Sequence, residues 1–352
     1  MATALLERRG HSVHLIERSS STAGRRRAAA GLLAGGLAPD QVSAAVRGSE
    51  ADVVHAHNVH PLFGWRALAA ARAAGARTVL HLHNFRLFCA IGIAYRDGAP
   101  CFRCQGRNTL PGLRLRCRGS LGEAALYAAA LHRQQARLLE HADRLLVVSE
   151  ATATRLEQLG IPGGRALALP NFVPAARFAS RSNAERGRHL LVAGRLVEEK
   201  GFDTAIAAAR AARVPLLIAG DGPDLERLKR LAGDGEVQFA GRLDARALSQ
   251  ALADAAALLA PSRWEEPCPY SVLDALAAGV PVLVSDRGGL SEIAGGASSL
   301  PAEDQSAWND AVAQLWRDAD GRGERGERAL ARARERFGEN RYYERLIGVY
   351  GG

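Results

Sequence analysis

The chain has 352 residues, of which 47% are hydrophobic and 24% are charged, and its formal net charge is +9. These values fit a globular protein with room for two domains. No apolar run reaches the roughly 18 residues of a membrane helix, so no membrane span is expected. The first residues lack a secretory pattern, so the five cysteines do not indicate a disulfide framework.

The positive charge comes almost entirely from arginine, because Lys200 and Lys229 are the only lysines. A basic balance suits anionic partners such as a nucleotide-sugar, a membrane surface or a nucleic acid, although most of these arginines are expected on a solvated surface. The basic residues do not interleave with an aromatic platform, so we expect no nucleic-acid partner. Arg25, Arg26 and Arg27 fit either peripheral membrane contact or plain exposure.

Short apolar runs alternate with helical stretches in the N-terminal half, a pattern typical of a parallel sheet covered on both faces. The predicted strands are SVHLIE, ADVVHAHN, RTVLHLHN and DRLLVVSE, and FGWRALAAARAAGA is a predicted helix. The last three strands end in polar pairs, namely His57 and Asn58, His83 and Asn84, and Ser149 and Glu150. Because ligands bind at the carboxyl ends of parallel strands, this edge is a candidate binding edge.

A second alternating series follows residues 170–188, which lack periodicity and are predicted to be a linker. Its predicted strands are HLLVAGR, PLLIAGDG, VQFAGR, ALLAPS and PVLVSD, and its predicted helices are DTAIAAARAA and DLERLKRLAG. The predicted fold class is α/β, with two doubly wound Rossmann-like domains, residues 1–175 and 188–336, facing across a cleft. Residues 337–352 are predicted to be a helix that packs back toward the N-terminal domain through Phe337, Tyr343, Leu346 and Tyr350.

The segment GRLVEEKG places Arg195 and Lys200 on a loop after a predicted strand. A guanidinium can hold a phosphate with two parallel hydrogen bonds, and an ammonium acts as a point charge. Together they could neutralise a diphosphate and stabilise it as a leaving group. The alternative is that both side chains pair with Glu198 or Glu199 at the surface.

The segment EEPCPYSVLDALAAGVPV predicts a helix from Val272 to about Ala278, capped by Ser271 and ended by Gly279. The open amides of its first turn would favour an anionic phosphate. Asp274 is then either the acid of a capping box or an acceptor for ribose hydroxyls.

Two further elements accompany this helix. Glu266, just before Pro267, either accepts hydrogen bonds from sugar hydroxyls or is an exposed loop acid. Gly288 and Gly289, in SDRGGLSEI, would let the backbone approach a ligand closely.

Together GRLVEEKG, AGDGP and the E-x7-D segment with AAGVPV resemble glycosyltransferase family 4, whose members are retaining enzymes of the GT-B fold. The resemblance runs over most of the chain and is strongest from residue 188 to 293. It implies transfer of a hexosyl-type sugar from a nucleotide-diphosphate donor to a hydroxyl of a glycan or lipid-linked acceptor. It further implies polysaccharide or glycolipid biosynthesis, a cytoplasmic location and no metal or other cofactor for catalysis.

The same resemblance implies roles for particular residues. Arg195 and Lys200 would bind the diphosphate, Glu266 the donor sugar and Asp274 the ribose. His83 would face the donor sugar from the opposite domain, although it could equally be a satisfied residue at a strand end. The implied donor-binding set is Gly194, Arg195, Lys200, Glu266, Cys268, Pro269, Tyr270, Ser271, Asp274, Gly288 and Gly289, and the implied catalytic set is Arg195, Lys200, Glu266 and His83.

Three features depart from the family pattern. Asp274 is one methylene shorter than the usual glutamate, and Pro269 replaces a usual glycine and removes an amide donor. The family's first strand and glycine-containing loop are missing before residue 1, for which we expect a misassigned start site rather than a damaged version of the enzyme. Two other functions therefore stay open: a nucleotide-sugar epimerase of similar fold, and a binding protein without catalysis.

Four cysteines, Cys89, Cys101, Cys104 and Cys117, lie within residues 89–117. A CxxC pair with two flanking cysteines can hold tetrahedral zinc, and the intervening segment has little apolar periodicity to stabilise it otherwise. The two interpretations are a structural zinc site and unligated thiols.

Overall fold

The computed structural model describes residues 1–351, except for the side chains at positions 20, 21 and 297. The chain divides into two compact units. The N-terminal unit comprises Met1–Ala94, Cys101–Pro170 and the segment from Tyr343 onward. The C-terminal unit comprises Tyr95–Pro100 and Asn171–Tyr342.

Helices and strands are numbered in chain order. The helices are α1 (Ala2–Arg8), α2 (Ser20–Ala34), α3 (Pro39–Ser49), α4 (Gly64–Ala73), α5 (Leu110–Arg114), α6 (Leu121–Glu140), α7 (Glu150–Gln158), α8 (Phe202–Ala212), α9 (Leu225–Ala232), α10 (Ala245–Ala253), α11 (Tyr270–Ala277), α12 (Leu290–Ala294), α13 (Gln305–Arg317), α14 (Ala319–Phe337) and α15 (Glu339–Gly351). The strands are β1 (Val53–His57), β2 (Arg77–Leu82), β3 (Tyr95–Arg96), β4 (Ala99–Pro100), β5 (Arg144–Val147), β6 (Ala166–Ala168), β7 (His189–Ala193), β8 (Leu216–Ala219), β9 (Val237–Gly241), β10 (Ala255–Ala260), β11 (Val282–Ser285) and β12 (Ser299–Leu300).

The N-terminal unit contains a parallel four-stranded sheet in the order β1-β2-β5-β6. Leu80, Leu145 and Val147 are fully buried, as expected for strands covered on both faces. Three strands predicted from the sequence are therefore confirmed as β1, β2 and β5, and the predicted helix is α4.

The predicted strand SVHLIE is wrong, because residues 11–19 form neither a helix nor a strand. A strand persists only when its amide and carbonyl groups pair with a neighbouring strand. Within the described residues β1 pairs with β2 alone and forms the edge of the sheet, so the apolar run 11–16 has no strand beside it. An alternating apolar pattern therefore does not form a strand when no neighbouring strand is present to pair with it.

The C-terminal unit contains a parallel six-stranded sheet in the order β12-β11-β10-β7-β8-β9. If β7 is counted as strand 1 and the sheet is read from the β9 edge, the order is 3-2-1-4-5-6, which is that of a Rossmann sheet. The strand order reverses between β7 and β10. The core packs around the fully buried Trp308, Ile206 and Leu190. All five strands and both helices predicted here are confirmed, and β12 adds a short edge strand.

The predicted linker, residues 170–188, contains only two short 3₁₀ turns, Ala175–Arg177 and Ala184–Arg186. The predicted terminal helix is divided, because α14 ends at Phe337 and α15 begins at Glu339. Phe337 and Leu346 are buried as predicted. The Tyr343 and Tyr350 rings are half-buried, and their hydroxyls lie 2.8 Å from ring nitrogens of His11 and His55.

Among the described residues, no helix combines the length and the apolar character that crossing a bilayer requires.

Candidate functional site

Two loops meet at the point where the strand order of the C-terminal sheet reverses. The loop after β7 carries Arg195 and Lys200, and the loop after β10 carries Glu266. Gly201 ends the first loop with φ +66°, and a Cβ there would lie 2.0 Å from the carbonyl oxygen of Pro261 in the second loop. The two loops therefore press backbone against backbone, which only glycine permits. In open α/β sheets this crevice is where ligands bind.

The Lys200 ammonium donates a hydrogen bond to the Glu266 carboxylate, which joins the two sequence motifs directly. Glu266 is only 6% exposed, and its other oxygen accepts a 2.6 Å hydrogen bond from the Ser262 hydroxyl. Lys200 Nζ also lies 5.7 Å from the centre of the Trp264 ring. Lys200 thus pairs with Glu266 rather than with Glu198 or Glu199, and the alternative of an exposed Glu266 is wrong.

Arg195 behaves differently. Its side chain is 66% exposed and its Nη2 lies 3.4 Å from Glu199, which matches the surface pairing considered from the sequence. An exposed pair of this kind contributes only about 0–1 kcal/mol, so an anionic ligand could displace Glu199 at little cost. The guanidinium is therefore available on the same loop as Lys200.

Helix α11 begins at Tyr270, with Pro269 at the N-cap position and no capping side chain. The prediction that Ser271 caps this helix is wrong, because the chain becomes helical one residue before it. Asp274 consequently occupies the fifth helical position, and the capping-box alternative is wrong as well. Gly279, with φ +70°, follows the end of the helix as predicted. The first amides of α11 lack a side-chain cap, as an anion-binding helix start requires.

Asp274 pairs with Arg177, a residue of the linker that the sequence did not single out. The Arg177 guanidinium donates a 3.1 Å hydrogen bond to the Asp274 carboxylate. Burial raises the pKa of Asp274, and Arg177 opposes that rise. The carboxylate that the resemblance assigns to ribose is thus held by an arginine that is itself half-exposed.

Backbone contacts hold the Glu266 loop in place. The Asn171 amide donates a 3.1 Å hydrogen bond to the carbonyl of Cys268. Gly288 has φ +57°, and a Cβ there would lie 2.7 Å from the Glu266 carbonyl oxygen. The Gly289 amide donates a 2.8 Å bond to the same oxygen. Gly288 and Gly289 were predicted to approach a ligand closely, but in the structure they approach the Glu266 backbone. This contact positions the Glu266 carboxylate.

The short β3–β4 hairpin brings one further residue to this region. The Tyr95 hydroxyl lies 3.5 Å from the Glu198 carboxylate, beside Lys200 in the chain. Burial, reinforced by Glu198, raises the pKa of Tyr95 to about 12. Nothing in the sequence pattern marked Tyr95, because the contact joins segments that are far apart in the chain.

In the N-terminal unit, histidines collect at the carboxyl ends of β1 and β2. His57 Nδ1 lies 2.7 Å from His83 Nε2, and His55 Nε2 lies 3.2 Å from His81 Nδ1. Burial lowers the pKa of His55, His81 and His83, and neighbouring imidazoles add to this for His55 and His81. His83 therefore has a histidine partner, and its predicted role toward the donor sugar stays a prediction.

The four clustered cysteines are free thiols that are partly buried, and Cys268 is buried. A separate group of metal-ligand type is formed by His55, His57 and His81. Among the residues that the structure describes, this is the group whose candidate ligand atoms already lie within 4.8 Å of one another.

Two family models match the chain. Residues 2–177 match Glycosyltransferase Family 4, and residues 187–318 match Glycosyl transferases group 1. A GDP-mannose-dependent alpha-mannosyltransferase of Mycobacterium tuberculosis is 30% identical over 252 residues, which cover 70% of this chain and 58% of that protein. A glycogen synthase of the same organism is 34% identical over 174 residues, 46% of this chain and 42% of that protein. The chain thus spans about half the length of these relatives.

Solved structures share the fold. Sucrose-phosphate synthase from Thermosynechococcus elongatus has a TM-score of 0.66 at 18% identity, covering 89% of this chain and 76% of that one. Anabaena HepE, solved in complex with UDP, has a TM-score of 0.64 at 17% identity, covering 88% and 81%. The architecture is therefore of the GT-B type. With two family models matched in series along its length, the chain belongs to glycosyltransferase family 4.

Proposed function

We propose that this protein transfers a sugar from a nucleoside-diphosphate donor to a hydroxyl acceptor. The observation that carries the proposal is the contact between Lys200 and Glu266 at the strand-order reversal of the C-terminal sheet. A buried carboxylate is costly unless it is paired, so the ammonium is held in one position by its partner. The uncapped start of α11 follows Glu266 by only a few residues.

The proposed reaction breaks the bond between the anomeric carbon and the diphosphate oxygen, and its electron pair leaves with the diphosphate. Lys200, Arg195 and the amides of α11 stabilise the charge that develops there. The acceptor oxygen bonds to the anomeric carbon on the same face, and its proton passes to the departing phosphate. The configuration at that carbon is therefore retained.

Two other proteins support the proposed donor class. Anabaena HepE was solved with UDP, and a relative uses GDP-mannose. Lys200 and Arg195 would bind the diphosphate, which UDP and GDP share. We therefore propose a nucleoside-diphosphate hexose as donor and do not assign its base. Because Lys200, Arg195 and a helix start supply the positive charge, we propose that transfer needs no metal ion.

We propose that the acceptor is a growing glycan or a lipid-linked sugar. The relatives named above are a glycogen synthase and a GDP-mannose-dependent alpha-mannosyltransferase, and the exposed Arg25, whose side chain is 95% accessible, fits an anionic membrane surface. Co-sedimentation with vesicles containing anionic lipid, compared with neutral vesicles, would test the peripheral contact.

The test is release of nucleoside diphosphate from a panel of UDP- and GDP-hexoses, with and without glycan or lipid-linked acceptors, in the presence of EDTA. We expect release that depends on acceptor and a product with the donor's anomeric configuration. Conversion of a donor into its epimer without acceptor would instead indicate the epimerase. Donor binding without turnover against every acceptor would indicate a binding protein.

A further inference from the structure

The Cys-rich segment between α4 and α6 is not used by the proposed transfer chemistry. Its four thiols come from three separate stretches: Cys89 after β2, Cys101 and Cys104 after β4, and Cys117 after α5. They form no disulfide, and all four are partly buried. The segment between them has two-residue strands and one five-residue helix as its regular structure.

Backbone and ring contacts connect the stretches that carry the thiols. The Cys89 amide donates a 2.8 Å hydrogen bond to the Phe85 carbonyl, and the Phe85 ring packs edge-on against Phe102, which lies between Cys101 and Cys104. The Cys101 amide donates a 2.6 Å hydrogen bond to the Ala94 carbonyl, and the Cys117 amide donates a 3.0 Å hydrogen bond to the Gly112 carbonyl.

Gly112, whose carbonyl binds the Cys117 amide, also lies against Cys104, because a Cβ at Gly112 would lie 3.6 Å from the Cys104 sulfur. Cys104 interacts electrostatically with the other three sulfurs, Cys89, Cys117 and Cys101. The stretches that carry the four thiols therefore lie together in the N-terminal unit.

We propose that Cys89, Cys101, Cys104 and Cys117 bind one structural zinc ion. Four thiolates complete a tetrahedral shell with Zn–S distances of about 2.3 Å, so no coordination position remains for catalysis. Binding displaces the thiol protons. Zinc binding would draw the four sulfurs closer together, because among the described residues only the three-histidine group already has its ligand atoms within 4.8 Å of one another.

The zinc would fix the base of the β3–β4 hairpin. Ala94 and Cys101, whose backbones bond to each other, are the residues on either side of it. The hairpin carries Tyr95, whose hydroxyl lies beside Glu198. The metal would therefore fix the base of a hairpin whose Tyr95 contacts Glu198, in the same turn as Lys200.

The test measures metal in the full chain after dialysis against metal-free buffer under reducing conditions. We expect about one zinc per chain in the wild type, and loss of it in Cys101→Ser/Cys104→Ser. The matched controls Cys268→Ala and His55→Gln/His81→Gln keep the metal. Zinc lost from the histidine variant but kept by the cysteine variant would overturn the proposal.

A second measurement uses the wild type alone, in case the cysteine variant does not fold. Replacing the metal by Co²⁺ should produce intense near-ultraviolet thiolate-to-cobalt absorption, which histidine ligands do not give. Removing the metal should also speed tryptic cleavage at Arg96 and Arg103 by at least about tenfold, relative to Arg230. A native protein without metal, whose Co²⁺ form shows no thiolate absorption, would contradict the proposal.

Discussion

The carboxyl ends of the two parallel sheets carry opposite kinds of chemistry. In the C-terminal unit, the loops after β7 and β10 hold the partly buried ammonium of Lys200 against the buried carboxylate of Glu266. In the N-terminal unit, the strand ends hold imidazoles whose burial lowers their pKa, so they are neutral at pH 7. The same sheet edge thus carries a charged pair in one unit and neutral rings in the other, which fits the proposal that the first binds the diphosphate and the second the uncharged acceptor hydroxyl. The predictions below test each side of this comparison.

The largest expected effect is on Lys200. Lys200→Met should lower kcat/KM for transfer by about 10²–10³, because it removes a positioned charge that stabilises the leaving diphosphate. It also leaves the buried Glu266 without its cation, so some loss of thermal stability should accompany it. Lys229, the only other lysine, pairs with Glu226 on the exposed face of α9. Lys229→Met is the matched control and should leave kcat/KM unchanged; equal turnover in the two variants would contradict the account.

Glu266→Gln should reduce kcat/KM by about 10²-fold or less, since the amide keeps the shape but no longer holds the ammonium by charge. The neighbouring Glu265→Gln is the control and should retain most of the activity. Steady-state kinetics at saturating acceptor measure both variants. A Glu266→Gln enzyme as active as the Glu265→Gln enzyme would show that the pair is structural only.

Asp274→Asn should raise KM for the donor by about tenfold with little change in kcat, since one hydrogen bond to a charged acceptor is worth about 1.5–3 kcal/mol. Donor saturation curves measure this, with Asp254→Asn, whose carboxylate pairs with Arg188, as control. A fall in kcat with unchanged KM would remove Asp274 from donor binding.

The same substitution has a consequence for stability. Burial raises the folded pKa of Asp274, so its contribution is fully present below the unfolded pKa of about 3.9 and is lost as pH rises from there through the higher folded pKa. Asp274→Asn should therefore not lower the free energy of unfolding at pH 7. A clear destabilisation at pH 7, measured by urea unfolding, would indicate that the pair with Arg177 outweighs the burial of the carboxylate.

The smallest expected effect concerns His60, which lies in the N-terminal unit with both ring nitrogens buried and unpartnered. Burial, with Arg86 adding to it, lowers the pKa of His60 to about 4. The unfolded chain takes up the proton first, near pH 6.5, so stability is lost as pH falls from about 6.5 toward 4. His60→Phe should flatten this loss when urea midpoints are compared at pH 7 and pH 5.

The wild type is the reference for that experiment. If His60→Phe loses stability between pH 7 and pH 5 as steeply as the wild type, the buried imidazole is not a source of acid sensitivity.

The sequence could predict features that depend on local chemistry. Apolar runs placed β2, β7 and β10, and the loops that follow them carried the predicted cations and acids. Gly279 marked the end of α11, since a left-handed residue is usual there. The strand SVHLIE failed because a strand needs a neighbour, which no local pattern reveals. Ser271 failed as a cap because helix ends shift by a residue with the geometry of the preceding loop.

Contacts between distant segments could not be predicted. The pairing of Lys200 with Glu266 depends on the order of β7 and β10 in the sheet, and the arrival of Arg177 at Asp274 depends on the path of the linker. Tyr95 reaches Glu198 only because a hairpin from the Cys-rich segment packs with the C-terminal unit. Arg177 and Tyr95 do not differ in type from other arginines and tyrosines in the chain, so only the fold reveals their contacts.

Calorimetric titration of UDP and GDP into the full chain tests the central claim most directly. The account predicts that at least one diphosphate binds with micromolar affinity in EDTA and that Lys200→Met weakens its Kd at least about tenfold, or about 1.4 kcal/mol. Lys229→Met should bind as the wild type does. Equal affinity of all three proteins, or binding of neither diphosphate, would contradict the assignment of the C-terminal unit as the diphosphate site.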